Sequence, residues 1–303
     1  MPARQLLKTA VEQGLLWSGL PGISSRLRRS DTLILAYHDV VPDGERVMGD
    51  SSLHLPRTIF AAQLDALLEM AEVIPLDEAL SGGAARSARP RLAITFDDAY
   101  RGAVVAGVEE LTKRGLPATI FVPPGLLDDG VFWWDALTPG GMPGLAPDVR
   151  DDALLRLAGK GSAILSEHGC SDTSHIPAYA RGASEAELRG AAEREGITLA
   201  SHTWSHPNLA ALAPAELEDE LVRPLAWLRE RFTGVLPYIS YPYGHYSPAV
   251  ERAVAAAGYR GALRIEGGWL RDGDTNRYAI PRLNVPSGLS DAGFRLRCSG
   301  LLG

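Results

Sequence analysis

Short apolar runs rich in β-branched and aromatic residues alternate with amphipathic helical segments along most of this chain. Most of these runs contain only one polar residue, a pattern typical of strands that are buried on both faces. They lie at 32–37, 92–96, 118–122, 197–200, 238–244, 259–263 and 279–285. Alternation of strand and helix over about 250 residues predicts a parallel sheet, either open or closed into a barrel.

Length and composition define the class of protein. A chain of 303 residues, 46% of them hydrophobic, is long enough for one large α/β domain. The formal net charge of -7 and the lack of a long basic tract disfavour a nucleic-acid partner. Cys170 and Cys298 lie far apart in sequence, which predicts reduced thiols and no disulfide framework.

Two adjacent carboxylates, Asp97 and Asp98, follow the predicted strand at 92–96. In α/β barrels, this end of a strand carries catalytic groups. Two carboxylates in one site repel each other, and both stay ionised at low cost only where a cation lies beside them. A solvated Asp-Asp turn fits the same residues, so the pair alone leaves both interpretations open.

His202 and His206 follow the predicted strand at 197–200. A spacing of four brings two imidazoles to one face of a helical turn, although capping or surface histidines can share it. Because the ends of parallel strands converge, we expect the histidines and the aspartates at one rim. One carboxylate and two imidazoles form the open three-ligand set of catalytic zinc, and the second carboxylate is then free to act as a base.

At these residues the chain resembles the polysaccharide deacetylase family (carbohydrate esterase family 4). Residues 95–98 read Thr-Phe-Asp-Asp and match its first motif, and 202–206 read His-Thr-x-x-His and match its second. Residues 241–244, Tyr-Pro-Tyr-Gly, resemble the Pro-Tyr part of its third. The resemblance covers roughly residues 31–285. It implies a single α/β domain folded as a distorted (β/α) barrel of about seven parallel strands.

The resemblance also implies roles for these residues. Asp97 would be the general base, and the backbone N–H of Tyr243 would stabilise the tetrahedral oxyanion. A divalent metal, with Zn²⁺ as the first choice, would be held by Asp98, His202 and His206.

The chain departs from the family pattern at two places. The arginine that opens the third motif and supports the base is replaced by Ser240, and Arg282 is our candidate substitute. The C-terminal Leu-x-His motif that supplies the general acid is absent, but residues 35–39, Leu-Ala-Tyr-His-Asp, look like that motif moved to the N-terminus. This order resembles the circularly permuted poly-N-acetylglucosamine deacetylase branch and predicts His38 as the general acid. A histidine that merely closes the strand end is the alternative.

Residues around these motifs are the predicted substrate contacts. They are Trp133, Trp134, Tyr241, Pro242 and Arg282. The two tryptophans lie in an irregular insertion at about 126–183, where they either pack structurally or offer indole faces to sugar rings. One helix is predicted inside the insertion, over 150–168, and residues 82–90, rich in Gly, Ala and Arg, are predicted to be a flexible connector.

These features together predict a metal-dependent hydrolase that removes N-acetyl groups from an amino-sugar polysaccharide or its precursor. Asp97 would deprotonate the metal-activated water, and His38 would protonate the departing amine. The expected partner is an N-acetylated glycan, and no obligate protein partner is evident. Two alternatives stay open: a deacylase of another small or lipid-linked amide, and a carbohydrate-binding module of the same fold without turnover.

The predicted domain organisation has three parts. Residues 1–30 form an N-terminal amphipathic helix and linker, 31–290 the catalytic domain with its insertion, and 291–303 a C-terminal tail. The helix is expected to stop near residues 19–22, where two glycines and a proline occur.

The N-terminal helix has two interpretations. It packs on the domain, or it contacts a membrane peripherally through residues 1–29, which include Trp17 and several arginines. Its apolar stretch is too short for a convincing signal peptide, and no apolar run reaches the roughly 18 residues of a transmembrane helix. A location in the cytoplasm or peripheral to the inner membrane is therefore favoured.

Overall fold

The computed structural model of the protein describes residues 2–81, 89–138, 140–141, 144–271 and 273–302, with the backbone alone for residues 2–6. The connector rich in Gly, Ala and Arg that composition predicts at 82–90 lies almost wholly outside the described residues.

The strands are β1 (Thr32–Tyr37), β2 (Asp39–Val41), β3 (His54–Pro56), β4 (Glu72–Val73), β5 (Arg91–Phe96), β6 (Ala118–Val122), β7 (Ile197–Ser201), β8 (Tyr238–Ser240), β9 (Gly261–Gly267), β10 (Trp269–Leu270) and β11 (Ile280–Asn284). The α-helices are α1 (Pro2–Trp17), α2 (Leu20–Leu27), α3 (Arg57–Met70), α4 (Leu76–Leu80), α5 (Val108–Arg114), α6 (Trp133–Leu137), α7 (Pro147–Asp151), α8 (Gly161–Glu167), α9 (Glu185–Ala192), α10 (Pro214–Arg231), α11 (Pro248–Ala256) and α12 (Asp291–Cys298). Single π-helical turns occupy Ala103–Gly107 and Asp152–Arg156, and 3₁₀ turns occupy Pro124–Leu126, Ala178–Ala180, Leu209–Ala211 and Pro242–Gly244.

Seven parallel strands close into a barrel in the order β1, β11, β9, β8, β7, β6, β5 and back to β1. Pairing of β1 with β5 closes the ring and runs from Thr32 opposite Arg91 to Tyr37 opposite Phe96. The two-residue strands β4 and β10 pair with the N-terminal ends of β5 and β1, respectively. The predicted (β/α) barrel of about seven parallel strands in one domain is confirmed.

Side chains on the barrel strands alternate between the lumen and the surrounding helices. Ile34, Ala93 and Phe121 belong to the cluster that fills the lumen, whereas Tyr37 packs edge-on against Phe60 of α3 with ring centroids 5.2 Å apart. Every residue of β1 and β5 is buried, which explains why these two strands are mostly apolar. Polar side chains that enter the lumen interrupt this apolar pattern, as Thr95 in β5 and Arg282 in β11 do.

The insertion is less regular than the sequence predicts. A single helix is expected over 150–168, but the chain leaves it after the π-turn at Asp152–Arg156 and resumes at α8. Ala158 and Gly159 between them have left-handed backbones, with φ of 53° and 67°. A Cβ on Gly159 would lie 2.8 Å from the ring of Tyr243, so this turn is shaped by close contact with the barrel mouth.

Both termini of the described chain are helical and contact each other. The turn at Gly19, with φ of 74°, separates α1 from α2, and Pro21 stands in the first turn of α2, where a proline is well tolerated. Residues 20–27, predicted as linker, are therefore helical. α1 packs on α12, and the Ser290 hydroxyl donates a hydrogen bond of 2.6 Å to the Glu12 carboxylate. None of the described helices has both the length and the hydropathy needed to cross a membrane.

Candidate active site

The carboxyl ends of the barrel strands surround one cavity of about 270 Å³. Asp97 and Asp98 follow β5, His202 and His206 follow β7, and His38 follows β1. All five of these residues line the cavity. The convergence that parallel strands impose thus brings together residues separated by up to 168 positions in the chain, from 38 to 206.

Asp97 is held by a buried arginine. Both terminal nitrogens of Arg282 donate to its carboxylate, at 2.8 and 2.6 Å, and the Ser240 hydroxyl donates at 3.0 Å. Arg282 is fully buried and also donates to the Thr95 hydroxyl and to the Arg264 carbonyl. Burial alone would raise the pKa of Asp97, but the nearby charges, chiefly that of Arg282, lower it to about 2. Asp97 is therefore ionised across the ordinary pH range.

Asp98 faces the two histidines. Its Oδ1 lies 3.4 Å from Nε2 of His202 and 3.2 Å from Nε2 of His206, and one ligand atom from each residue fits within 4.8 Å. Burial would raise the pKa of Asp98, but the His206 and His202 imidazoles outweigh burial and hold it well below its usual range. His202 Nδ1 lies 2.9 Å from the Ser240 carbonyl oxygen, so Nδ1 carries the proton and Nε2 keeps a free lone pair.

The loops that carry this cluster have unusual backbone conformations. Asp98, Thr203, His206 and Tyr243 all have positive φ, between 58° and 72°. Non-glycine residues rarely adopt this region, and such strain concentrates at functional sites. The Thr203 hydroxyl accepts a 3.0 Å hydrogen bond from the His206 N–H, which stabilises the turn between the two imidazoles.

His38 shares the cavity but makes none of the contacts described for the cluster. Burial lowers its pKa, while the carboxylates of Asp98 and Asp97 act in the opposite sense. Burial outweighs the two carboxylates, so the net shift lowers the pKa of His38.

Aromatic residues form one wall of the cavity. The indole N–H of Trp133 donates to the Tyr243 hydroxyl at 2.9 Å, and that hydroxyl donates to the His206 carbonyl at 3.1 Å. Trp134 packs on His206 with ring centroids 5.0 Å apart. Trp133 and Trp134 are only 3% and 7% exposed, so each presents an edge to the cavity and not an open face.

The remaining predicted substrate contacts differ in their access. Tyr241 lines the cavity, but its hydroxyl donates to the Tyr278 carbonyl at 2.9 Å. Pro242 is buried in the 3₁₀ turn and is not among the lining residues. Arg282 has no exposed surface, and its guanidinium contacts Asp97 below the cavity. Arg282 was predicted either to contact substrate or to support Asp97 in place of the family arginine, whose position here is Ser240. This geometry fits the second role.

The match to a known family comes from the sequence itself. A model of the polysaccharide deacetylase family matches residues 84–262, more than half of the chain. The chain belongs to the polysaccharide deacetylase family. The protein YxkH of Bacillus subtilis (strain 168), a polysaccharide deacetylase by name, is 30% identical over 101 residues, which span 33% of this chain and 36% of YxkH.

Solved structures of low sequence identity share the deacetylase fold. IcaB from Ammonifex degensii superposes with a TM-score of 0.61 at 17% identity, covering 90% of this chain and 98% of IcaB. The Streptococcus pyogenes deacetylase PplD, solved in complex with acetate, gives 0.60 at 17% identity, covering 86% and 94%. BC0361 of Bacillus cereus, a polysaccharide deacetylase, gives 0.63 at 16% identity, covering 88% and 68%.

One buried network in this deacetylase fold was not predicted. His54 bridges two aspartates, with Nδ1 2.8 Å from Asp39 and Nε2 2.9 Å from Asp135, and all three side chains have no exposed surface. The Tyr100 hydroxyl donates to Asp135 at 2.7 Å and accepts from the indole N–H of Trp134 at 2.8 Å. Since Asp39 follows His38 and Asp135 follows Trp134, the network ties two walls of the cavity together.

The protonation of His54 follows from this geometry. Burial alone would lower its pKa, but Asp135 and Asp39 outweigh burial and raise it to about 10. A doubly protonated ring donates to both carboxylates, whereas a neutral ring donates to only one. No local sequence pattern indicates this contact, because the three partners come from three separate elements, β2, β3 and α6.

We expect His54→Leu to destabilise the protein in a pH-dependent way. Because the folded pKa exceeds the unfolded value of about 6.5, the His54 contribution is fully present below pH 6.5 and is lost as the pH rises toward 10. Removing the cation from two buried carboxylates should cost about 3–5 kcal/mol at pH 6. Urea unfolding at pH 6 and pH 9.5 measures the difference, which should shrink at the higher pH.

The matched control is His175→Leu, at an exposed histidine of the insertion, which should leave the unfolding free energy within about 0.5 kcal/mol at both pH values. A cost for His54→Leu that is equal at the two pH values would contradict a charged bridge.

Proposed function

We propose that this member of the polysaccharide deacetylase family is a metal-dependent hydrolase of N-acetyl groups on an amino-sugar glycan or its precursor. The observation that carries the proposal is the grouping of Asp98, His202 and His206 beside a second buried carboxylate, Asp97, in one cavity. Hydrolysis of an unactivated amide needs one carboxylate that binds a metal ion and a second carboxylate that is free to accept a proton.

The three grouped residues suit a divalent cation such as Zn²⁺. Asp98 Oδ1 is buried and has no hydrogen-bond partner, although it lies near two imidazole nitrogens. His202 is fixed in the tautomer whose Nε2 lone pair points toward Asp98. Two imidazoles and a carboxylate are a common donor set for catalytic zinc, and a cation there would polarise the amide carbonyl and acidify water.

Asp97 has the role of general base. Its ion pair with Arg282 keeps it ionised. Oδ1 accepts only from Arg282 and so retains a lone pair, whereas Oδ2 accepts from both Arg282 and Ser240. A carboxylate with a pKa of about 2 is a weak base, so it accepts a proton readily only from water that has been made more acidic. Arg282 therefore fixes Asp97 in place. It also makes proton transfer to Asp97 depend on the cation that Asp98, His202 and His206 would hold.

Charge that develops on the amide oxygen is met by the backbone N–H of Tyr243. The left-handed conformation of this residue, with φ of 58°, sets the direction of its peptide group, and its hydroxyl is anchored to Trp133 and His206. A fixed donor of this kind stabilises the transition state without reorganising. Trp133 and Trp134 border the cavity with apolar edges next to Tyr243 and His206.

His38 gives its proton to the nitrogen of the departing amine as the C–N bond breaks and acetate forms. An amide nitrogen leaves poorly as an anion, so this proton transfer is worth about 10²- to 10⁴-fold in rate. Exchange of the proton with solvent then restores His38 for the next turnover.

Two variants separate the acid from the ligand set. His38→Ala should lower kcat on an N-acetylglucosamine oligomer about 10²- to 10⁴-fold and still bind one equivalent of zinc, because His38 is not one of the three grouped residues. Asp98→Ala should lose both zinc and activity. Isothermal titration with zinc and an acetate-release assay check each variant, with His175→Ala as control. Full activity of Asp98→Ala, or of the chelated wild type, would contradict the proposal.

The second element of the proposal is peripheral contact of the N-terminal helices with an anionic membrane surface, for action near the inner membrane on a nascent or lipid-linked glycan. Among the described residues, six of the twelve exposed large apolar side chains lie between residues 7 and 27. Trp17 and Leu27 are 86% and 79% exposed. Three arginines at positions 26, 28 and 29 adjoin this apolar surface in a chain of net charge -7. Apolar side chains beside local positive charge suit anionic lipid.

The double substitution Trp17→Ser and Leu27→Ser should weaken binding to phosphatidylglycerol vesicles at least about tenfold, because both lost side chains would insert into the interface. Leu155→Ser, at a residue 67% exposed in the insertion, is the matched control and should bind as the wild type does. Co-sedimentation at low and high salt measures both. Equal binding of the double variant and the wild type would contradict this membrane contact.

A further inference from the structure

Asn284 carries a buried acceptor without a partner at the rim of the catalytic cavity. Five side-chain atoms among the described residues are buried and unpaired, and two of them, Asp98 Oδ1 and His206 Nδ1, belong to the proposed metal site. A third is Oδ1 of Asn284, which also lines the cavity. A buried carbonyl oxygen without a donor costs free energy, so its retention here needs an explanation.

The strand register places Asn284 next to the proposed general acid. Asn284 ends β11 and follows Arg282 by two residues, so both side chains point to the inner face of the barrel. Asn284 pairs with Ala36 on β1, and the N–H of Val285 donates to the Ala36 carbonyl at 3.0 Å. His38 lies two residues beyond Ala36. Around the rim, His38 therefore stands between Asn284 and the aspartates that follow β5.

The chemistry of the substrate indicates which donor this acceptor would take. The N-acetyl group has a single N–H, on the same nitrogen that His38 would protonate. That nitrogen is planar in the amide and must become tetrahedral, with its lone pair directed at the acid, before the C–N bond breaks. An acceptor beside the acid that holds the N–H fixes the direction of the lone pair.

We propose that Asn284 Oδ1 accepts a hydrogen bond from the N–H of the scissile amide and so makes the site selective for amides over esters. The inference rests on the proposed deacetylase function. Asn284 neither gains nor loses a proton: His38 supplies the proton to nitrogen, and the Asn284 hydrogen bond is kept by the amine product. An ester has no N–H and leaves the acceptor unpaired, which is the basis of the selectivity.

The test compares an N-acetylglucosamine oligomer with the corresponding sugar acetate ester, which carries the same acyl group but has no N–H on the leaving atom. Asn284→Leu removes the acceptor at similar volume and should lower kcat/KM for the amide about 10- to 100-fold, with the ester changed less than about twofold. Asn284→Asp keeps an acceptor and should recover part of the amide activity. Asn276→Leu, at an exposed asparagine before β11, is the matched control.

The pH profile of the amide reaction distinguishes this role from one exerted through His38. Asn284→Leu should leave the apparent pKa values of the profile unchanged, since Oδ1 contacts the substrate. Equal losses of kcat/KM on amide and ester, a shifted pH profile, or an unchanged amide rate would each overturn the inference. If the wild type does not cleave the ester, the pH profile of the amide reaction is the deciding measurement. Zinc binding and thermal unfolding show that the variant is folded. A wild type inactive on the amide would instead contradict the proposed function.

Discussion

Two buried carboxylates on adjacent residues repel each other, and the arrangement of this site follows from how each is compensated. The strand β5 delivers Asp97 to the inner face of the barrel, where Arg282 and Ser240 bind it. The backbone then turns through a positive φ at Asp98 and directs the second carboxylate toward His202 and His206. The first charge is neutralised by an ion pair within the protein, and the second is matched to imidazole nitrogens that can share a cation. In the proposed function, this division of the pair separates a general base, Asp97, from a metal ligand, Asp98.

Much of this was predictable, because it depends on local pattern and on one rule of topology. Apolar runs gave the strands, the residues after them gave Asp97, Asp98, His202 and His206, and convergence of parallel strands brought these side chains to one cavity. The position of His38 in the same cavity agrees with the sequence prediction. The roles of these residues remain predictions.

Contacts that depend on tertiary geometry were not predictable. His54, Asp39 and Asp135 come from three elements, and nothing in their spacing indicates that a charged histidine bridges the two carboxylates. The use of Arg282 beneath Asp97 was only one of two options, and burial favours it over contact with substrate. The break in the helix expected over 150–168 is set by the approach of Gly159 to Tyr243, and the helix at 20–27 by Pro21 in its first turn. In each case a neighbour distant in sequence, or a capping detail, outweighs local periodicity.

The most direct measurement is zinc K-edge X-ray absorption on the wild type loaded with one equivalent of zinc. The account predicts two imidazole nitrogens at about 2.0–2.1 Å with oxygen donors completing the shell, and loss of both imidazole signals when His202 and His206 are replaced by alanine. A spectrum with sulfur donors, or imidazole scattering that survives the double substitution, would contradict the central claim that Asp98, His202 and His206 form one metal site.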